Sequence, residues 1–222
     1  MPETRDAALI RRFAAPRANL PRLASQVKRN PKLLDALIAA VSSDVARVRF
    51  GAAKALRNLS EHAPDLIYPH FDFIASLFRN ENSILRWNAI LLLGNLATVD
   101  GEGRVDRIIG HYLSPISGPH LIDAGHTMRG AAAIGVAKPY LADTIASHIL
   151  EVERATYTTP ECRNVAIGHA IDSLDRLFPI IADKRAVQRF VSQQMGNTRI
   201  ATRKRAERFL RKWPLAEGLG RV

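Results

Sequence analysis

The sequence predicts an all-α protein, a right-handed α-α superhelix of about five two-helix repeats behind an N-terminal helical cap. The first observation is a pattern that occurs five times: an arginine, two residues, an alanine, three residues and an apolar residue. Its arginines are Arg49, Arg86, Arg129, Arg163 and Arg203. They lie 37, 43, 34 and 40 residues apart, and a period of this length is typical of stacked helical repeats. The second observation is that apolar residues recur at spacings of three and four, without the alternation typical of strands.

Each repeat is predicted to contain a first helix upstream of the arginine and a second helix that carries it. The apolar positions of the first helices are Leu33, Leu34, Leu37, Ile38 and Val41; Phe71, Ile74, Leu77 and Phe78; Val105, Ile108, Ile109, Tyr112 and Leu113; Ile145 and Ile149; and Val187, Phe190 and Val191. In the second helices, positions three and seven after the arginine share one face. Small residues beside them, such as Gly135 and Gly168, predict a close approach of neighbouring helices.

Prolines and capping residues predict where the repeats begin and end. Asn30-Pro31 and Thr159-Pro160 place a capping side chain before a proline at the first helical position. Pro139 predicts an early end for the helix that carries Arg129, and the connection at 114–125 is expected to be the longest. The predicted organisation is a cap at 1–30, a solenoid at 31–213 with repeats at 31–69, 70–106, 107–143, 144–183 and 184–213, and a short tail at 214–222.

Two predicted second helices resemble a known repeat family. Residues 48–56 read VRFGAAKAL and residues 85–93 read LRWNAILLL, and in units of about 40 residues these segments resemble HEAT repeats, which form armadillo-like α-solenoids. In that family an acidic residue before the arginine often forms an Asp–Arg ladder between repeats. The resemblance implies this role for Asp44 and Glu81, whereas the later copies have Ala124, Thr158 and Thr198 there. It covers about residues 30–213 and, as a likeness of fold, implies no particular function.

Basic charge is concentrated at the two ends of the chain, whose formal net charge is +11. Residues 1–32 hold eight basic and two acidic residues, 33–183 hold 13 and 17, and 184–212 hold ten and one. A predicted helix at 197–213 would turn Ile200, Ala206, Phe209, Leu210 and Trp213 toward the preceding repeat. Its outward cations would be Arg199, Lys204, Arg208, Arg211 and Lys212. Such a stripe would favour nucleic acid through counterion release, and a solvated helix end or an acidic protein partner is the alternative.

The repeat arginines are predicted to be structural rather than a phosphate ladder. Regular recurrence at one position favours pairing with acids or loop carbonyls of adjacent repeats. Trp87 follows one of these arginines and would either pack between helices or, if exposed, anchor a peptide or stack on a base. Lys54, Arg57, Trp87 and Asn88 are therefore candidate partner contacts on two consecutive second helices.

No motif in the sequence predicts a catalytic, cofactor or metal site. The seven histidines lack a metal-binding spacing, and the single cysteine, Cys162, offers no Cys-x-x-Cys. Glycine-rich phosphate loops and nucleophile motifs are also absent from the sequence. No apolar run is long enough to span a bilayer, and the charged first residues do not resemble a signal peptide, so the cytoplasm is the expected location.

These observations favour a non-enzymatic scaffold that presents a concave surface, lined by the second helices, to a macromolecular partner. A protein partner is favoured because the central repeats are apolar or slightly acidic. The alternative is a nucleic-acid-binding protein, since the chain resembles the HEAT-like alkylpurine DNA glycosylases in length, helix content and basicity. That resemblance implies a carboxylate and aromatic residues around a damaged nucleotide, for which Trp87 and Asp100 are the nearest combination. A third possibility, on fold alone, is a relative of the HEAT-like phycobilin lyases.

Overall fold

The computed structural model describes Ala8 and residues 19–214 of the chain. In this part every regular element is an α-helix or a short 3-10 helix, so the predicted all-α class is confirmed. Most of the predicted cap at 1–30 and nearly all of the predicted tail at 214–222 lie outside the described residues. No helix within 19–214 is long and apolar enough to cross a membrane.

The helices are numbered from the first one whose bounds are described. They are α1 Leu20–Arg29, α2 Lys32–Ala40, α3 Ala46–Ser60, α4 Pro64–Ile67, α5 Phe71–Leu77, α6 Ser83–Leu96, α7 Arg104–Leu113, α8 Leu121–Ala137, α9 Ala142–Leu150, α10 Pro160–Leu177, α11 Lys184–Gln193 and α12 Ile200–Lys212. Two compact units divide the chain, Met1–Arg107 and Ile108–Val222, and the boundary falls inside α7.

Side-chain caps fix several helix starts. Asn82 accepts hydrogen bonds from the backbone N–H groups of Ile84 and Leu85 at the start of α6. At the start of α10, Thr159 accepts from the N–H of Cys162 and Pro160 holds the first position, as the sequence predicted. The other predicted start differs, because Pro31 directly precedes α2 and no side chain caps that helix.

The connection predicted at 114–125 is much shorter than expected. A 3-10 turn at Ser114–Ser117 follows α7 directly, and α8 already begins at Leu121. Gly118 between them has a φ of 94°, a conformation that favours glycine. At its other end α8 stops at Ala137, just before Pro139, as predicted.

In the first unit, α3 and α6 pack against each other, while α2 packs on α3 and α5 packs on α6. The C-terminal ends of α3 and α6 meet, because the Asn95 amide donates to the Ser60 hydroxyl at 2.9 Å. Apolar side chains between the first and second helices are almost completely buried, among them Leu37, Leu56 and Ile74. Burial of this apolar area is the main stabilising contribution to the unit.

In the second unit, α10 packs between α8 and α12, while α9 contacts α8 and α10, and α11 contacts α12. Helices α10 and α12 run in the same direction. Residues near the start of α12 contact the start of α10, and residues near its end contact the end of α10. Thr202 donates to the carbonyl of Asn164, and Lys212 to the carboxylate of Asp175. A glycine also allows α8 and α10 to lie close together, as the sequence predicted. A Cβ on Gly135 would lie 2.6 Å from Leu177 Cδ2.

Candidate binding surfaces

Three repeat arginines, Arg49, Arg86 and Arg203, make the same pair of hydrogen bonds. Each donates from Nη1 to the backbone carbonyls five and six residues upstream, at distances from 2.6 to 3.3 Å. The acceptors are Ser43 and Asp44, Asn80 and Glu81, and Asn197 and Thr198, respectively. The repeated arginine therefore ties the start of a second helix to the connection that precedes it.

These bonds correct the sequence-based expectation for the arginines in two respects. The acceptors belong to the same repeat rather than to adjacent ones, and for Asp44 and Glu81 they are backbone carbonyls rather than the carboxylates of an Asp–Arg ladder. Arg129 and Arg163 are exposed and do not show this pair of bonds within the described residues. Arg129 is the ninth residue of α8, whereas Arg49 is the fourth residue of α3. The five additional residues place Arg129 about 7.5 Å further along the helix axis, out of reach of the connection.

In the first unit, α3 and α6 each present a row of partly exposed side chains opposite their buried alanine and leucine positions. These rows, called here the first-unit surface, comprise Phe50, Lys54 and Arg57 on α3 and Ile84, Trp87 and Leu91 on α6. They follow the three-and-four spacing of a helix face. Three of the predicted contact residues, Lys54, Arg57 and Trp87, thus lie on one surface of neighbouring helices.

Asn88 does not belong to the first-unit surface. It is only 7% exposed, and its amide donates to the carbonyl of Ile84 at 2.8 Å. Its position is seven residues before Asn95, on the side of α6 that faces α3, which explains its burial. This burial argues against the prediction that Asn88 contacts a partner.

Asp100, also in the first unit, is a buried helix cap. Its carboxylate accepts from the Tyr68 hydroxyl at 2.6 Å and from the backbone N–H groups of Arg104 and Val105 at 2.8 and 3.0 Å. Burial raises the pKa of Tyr68, and the hydrogen bond to Asp100 raises it further. Three bonds to the start of α7 and to Tyr68 give this carboxylate a structural role, which argues against its use in a nucleotide-binding groove with Trp87.

In the second unit, three helices contribute neighbouring rows, called here the second-unit surface. The rows are Ile122, Arg129, Ala133 and Val136 on α8; Val165, His169, Asp172 and Arg176 on α10; and Lys204, Arg205, Arg208 and Arg211 on α12. Arg176 reaches the carbonyl of Arg129 at 3.5 Å, and Asp172 pairs with Arg205 and Arg208. These contacts join the three rows into one surface.

Aliphatic side chains and cations share the second-unit surface. Ile122 and Val136 are both 51% exposed at the two ends of the α8 row. Six cations stand against one carboxylate, Asp172, in the residues that define the surface. Exposed apolar area beside an excess of one charge is typical of an interaction surface.

Most of the cations predicted on the basic face of the last helix form ion pairs within the protein. Three of its five candidate cations pair with acids of α10: Arg199 with Glu161, Arg208 with Asp172 and Lys212 with Asp175. Lys204 and Arg211 are exposed. The two residues of each pair are 38, 36 and 37 positions apart in the sequence, close to the repeat period. This nearly constant separation is the signal in the sequence that would have identified the three acids.

The apolar side of α12 also differs from its prediction at one position. Ala206 and Phe209 are buried and Trp213 is half-buried, as expected, but Ile200 is 61% exposed. Ile200 lies four residues before Lys204 and shares its exposed helix face, which explains the difference.

His169 is half-buried where α8, α10 and α12 meet. A Cβ on Gly125 would lie 3.1 Å from its Cδ2 atom, so the glycine leaves room for the imidazole. Burial lowers the pKa of His169, and the positive charge of Arg205 lowers it further, against the opposing effect of Asp172. Within the described residues no group of three or more His, Cys, Asp or Glu is placed to hold a metal ion.

Comparison with known proteins gives a likeness of fold. No family model matches the chain, and no curated protein matches it. A solved structure described as an engineered protein superimposes with a TM-score of 0.57 over 93% of this chain and 87% of that one, at 16% sequence identity. At this identity the similarity concerns the arrangement of helices alone.

Proposed function

We propose that the chain is a HEAT-like solenoid of about five repeats whose second helices line a concave surface for an acidic protein partner. Two features support the repeat architecture. The arginine–carbonyl pair recurs at the fourth residue of three second helices, α3, α6 and α12. Second helices also pack side by side within each unit. The residues that form hydrogen bonds between them are about one repeat period apart in the sequence.

The observation that carries the function is the composition of the second-unit surface. Its exposed aliphatic side chains, Ile122 and Val136, favour a partner that covers them with apolar groups. Its cations, including Arg129 and Arg176, favour carboxylates, and complementary charge gives such a complex specificity and a fast association. A protein segment that carries both apolar and acidic side chains satisfies both requirements, whereas a nucleic-acid backbone satisfies only the second.

Nucleic acid remains the second candidate because of two exposed cations, Lys204 and Arg211, on α12. Phosphate contacts from these side chains would give binding that weakens steeply with salt. The glycosylase form of this hypothesis is less favoured, since the carboxylate of Asp100 is committed to the start of α7.

A photo-crosslinking amino acid in place of Ala133 tests the proposal in cells. Ala133 lies in the middle of the α8 row, and the exposed Ser147 on α9 is the control position in the same unit. We expect nuclease-resistant protein adducts from position 133 and not from position 147. Equal adducts at both positions, or none at 133, would overturn the proposal, and nuclease-sensitive adducts would support nucleic acid instead.

The salt dependence of duplex binding tests the second candidate directly. Anisotropy of a labelled 20-base-pair duplex would be measured from low to physiological salt. Binding lost on changing Lys204 and Arg211 to glutamate would support that candidate. Absence of binding at low salt would exclude it, because non-specific phosphate contacts are strongest there.

A further inference from the structure

One carboxylate on the second-unit surface is shared by two guanidinium groups. Arg205 Nε lies 2.9 Å from Asp172 Oδ2, and Arg208 Nη2 donates to Asp172 Oδ1 at 2.8 Å. The three side chains are 28%, 68% and 40% exposed for Arg205, Arg208 and Asp172. The cluster is therefore open to a ligand from solvent.

A glycine on the neighbouring helix leaves room for the guanidinium of Arg205. A Cβ on Gly168 would lie 2.5 Å from Arg205 Nη1 and 3.2 Å from Thr202 Oγ1. The guanidinium thus lies against the bare backbone of α10, beside a buried threonine that bonds to the carbonyl of Asn164 at 2.8 Å. Such seating reduces the conformational entropy that Arg205 would lose when it binds a ligand.

The cluster has more donors than its own carboxylate can accept. Each guanidinium carries five N–H donors, and Asp172 presents one oxygen to each arginine. Lys204 and Arg211 lie four residues before and three after Arg208, on its side of α12, and add positive potential. Planar guanidinium groups favour bidentate binding of a carboxylate.

We propose that Arg205 and Arg208 form a binding site for a glutamate or aspartate side chain of the partner, with Asp172 as the internal counter-ion that this carboxylate displaces. The inference rests on the proposed function, because it assigns a contact within the second-unit surface. Asp172 then sets the affinity: it holds both arginines in place in the free protein and competes with the incoming carboxylate.

Binding of a fluorescein-labelled decaglutamate peptide at low salt tests this assignment. Asp172→Asn removes the competitor and is expected to tighten binding about two- to fivefold. Arg205→Gln and Arg208→Gln are each expected to weaken it by a similar factor. Asp175→Asn is the matched control, because it removes the same charge from α10 next to Lys212 and Trp213 instead. Equal tightening by both aspartate variants would overturn the proposal, since net charge alone would then explain the effect.

The pKa of His169, measured by NMR titration, reports on the site without relying on affinity. The charges that face it are Arg205 and Arg199 of the α12 segment and Asp172 of its own helix. A peptide carboxylate on Arg205 offsets one cause of the lowered pKa. In Asp172→Asn, where no internal carboxylate is displaced in exchange, we therefore expect the pKa of His169 to rise on saturation with decaglutamate. An unchanged value at saturation would contradict binding at Arg205. The same titration shows whether the variants retain the folded cluster.

Two outcomes separate this inference from the proposed function. In the first, protein adducts form at position 133 while decaglutamate binds Asp172→Asn no more tightly than the wild type. That result would rule out the carboxylate site and leave the proposed function standing. Tighter binding of the 20-base-pair duplex to Asp172→Asn, with no effect on decaglutamate, would identify the ligand as phosphate and overturn the carboxylate assignment.

Discussion

Replacement of Asp100 by alanine should destabilise the first unit by about 2–3 kcal/mol. The carboxylate caps two backbone N–H groups at the start of α7, and loss of such a cap typically costs about 1 kcal/mol. It also accepts the Tyr68 hydroxyl at 2.6 Å, and a hydrogen bond of this kind contributes about 1 kcal/mol net. Since the acceptor is only 7% exposed, water replaces it poorly, and the sum lies toward the upper end of the range.

Urea denaturation followed by far-UV circular dichroism measures this cost. Tyr68→Phe removes one of the bonds and should cost about 0.5–1.5 kcal/mol. In the double variant the two effects should be less than additive by about 1 kcal/mol, because both substitutions remove the same bond. A cost below about 0.5 kcal/mol for Asp100→Ala, or strict additivity with Tyr68→Phe, would refute the reasoning from hydrogen bonds.

The same residue distinguishes the structural role from a catalytic one. As a helix cap, Asp100→Asn should also be destabilising, because the amide NH2 replaces one carboxylate oxygen and would face a backbone N–H group from which that oxygen accepts a hydrogen bond. If Asp100 served a glycosylase site instead of stabilising the start of α7, this substitution would leave the free energy of unfolding unchanged and abolish release of alkylated bases. The two outcomes exclude each other.

Three further predictions concern the repeat arginines, the helix contacts and the pH dependence. Arg86→Ala should cost about 1–2 kcal/mol in urea denaturation through loss of two carbonyl bonds, whereas the exposed Arg163→Ala should change stability by less than about 0.5 kcal/mol. Gly135→Ala should cost about 1–3 kcal/mol through overpacking, whereas Gly110→Ala, with no atom within 4 Å of the new Cβ, should stabilise α7 by up to about 1 kcal/mol. The pKa of His169 is lowered in the folded state, so as pH falls the unfolded chain takes up a proton at about pH 6.5, before the folded protein does. The free energy of unfolding should therefore decrease as pH falls from about 6.5 through the folded pKa. The urea midpoint of His169→Gln should fall less than that of the wild type between pH 7.5 and 5.5, and equal decreases would contradict the assignment.

Helix positions are set by local spacing, which is why the sequence predicted most of them. Val105, Tyr112 and Leu113 recur with helical period and are buried on α7. The start of α8 was missed because the proline and glycine residues near 118 suggested a long loop. Leu121, however, lies three residues before the buried Ala124, and this spacing extends the helix upstream. Short-range apolar spacing thus outweighs nearby helix-breaking residues.

The binding surfaces were less predictable because they depend on pairing between helices. The repeated pattern that contains Arg49 indicated a structural role for this arginine. The carbonyls to which Arg49 donates lie within six residues of it in the sequence. The partners of Arg205 and Arg208, by contrast, lie more than 30 residues away, and nothing in the local spacing of charges selects Asp172. Only the repeat period, applied to the acids of α10, would have indicated which residues meet.

Pairing between helices also changes the meaning of the charge distribution. The segment 184–212 contains ten basic and one acidic residue, which by itself suggests a polyanion-binding helix. In the folded second unit, however, Glu161, Asp172 and Asp175 of α10 neutralise part of this charge across one helix contact. A partner must compete with these acids to reach the arginines, so its own carboxylates must be held in position by additional contacts. The exposed aliphatic side chains of α8 provide such contacts, which is why apolar and acidic groups are expected in the same partner segment.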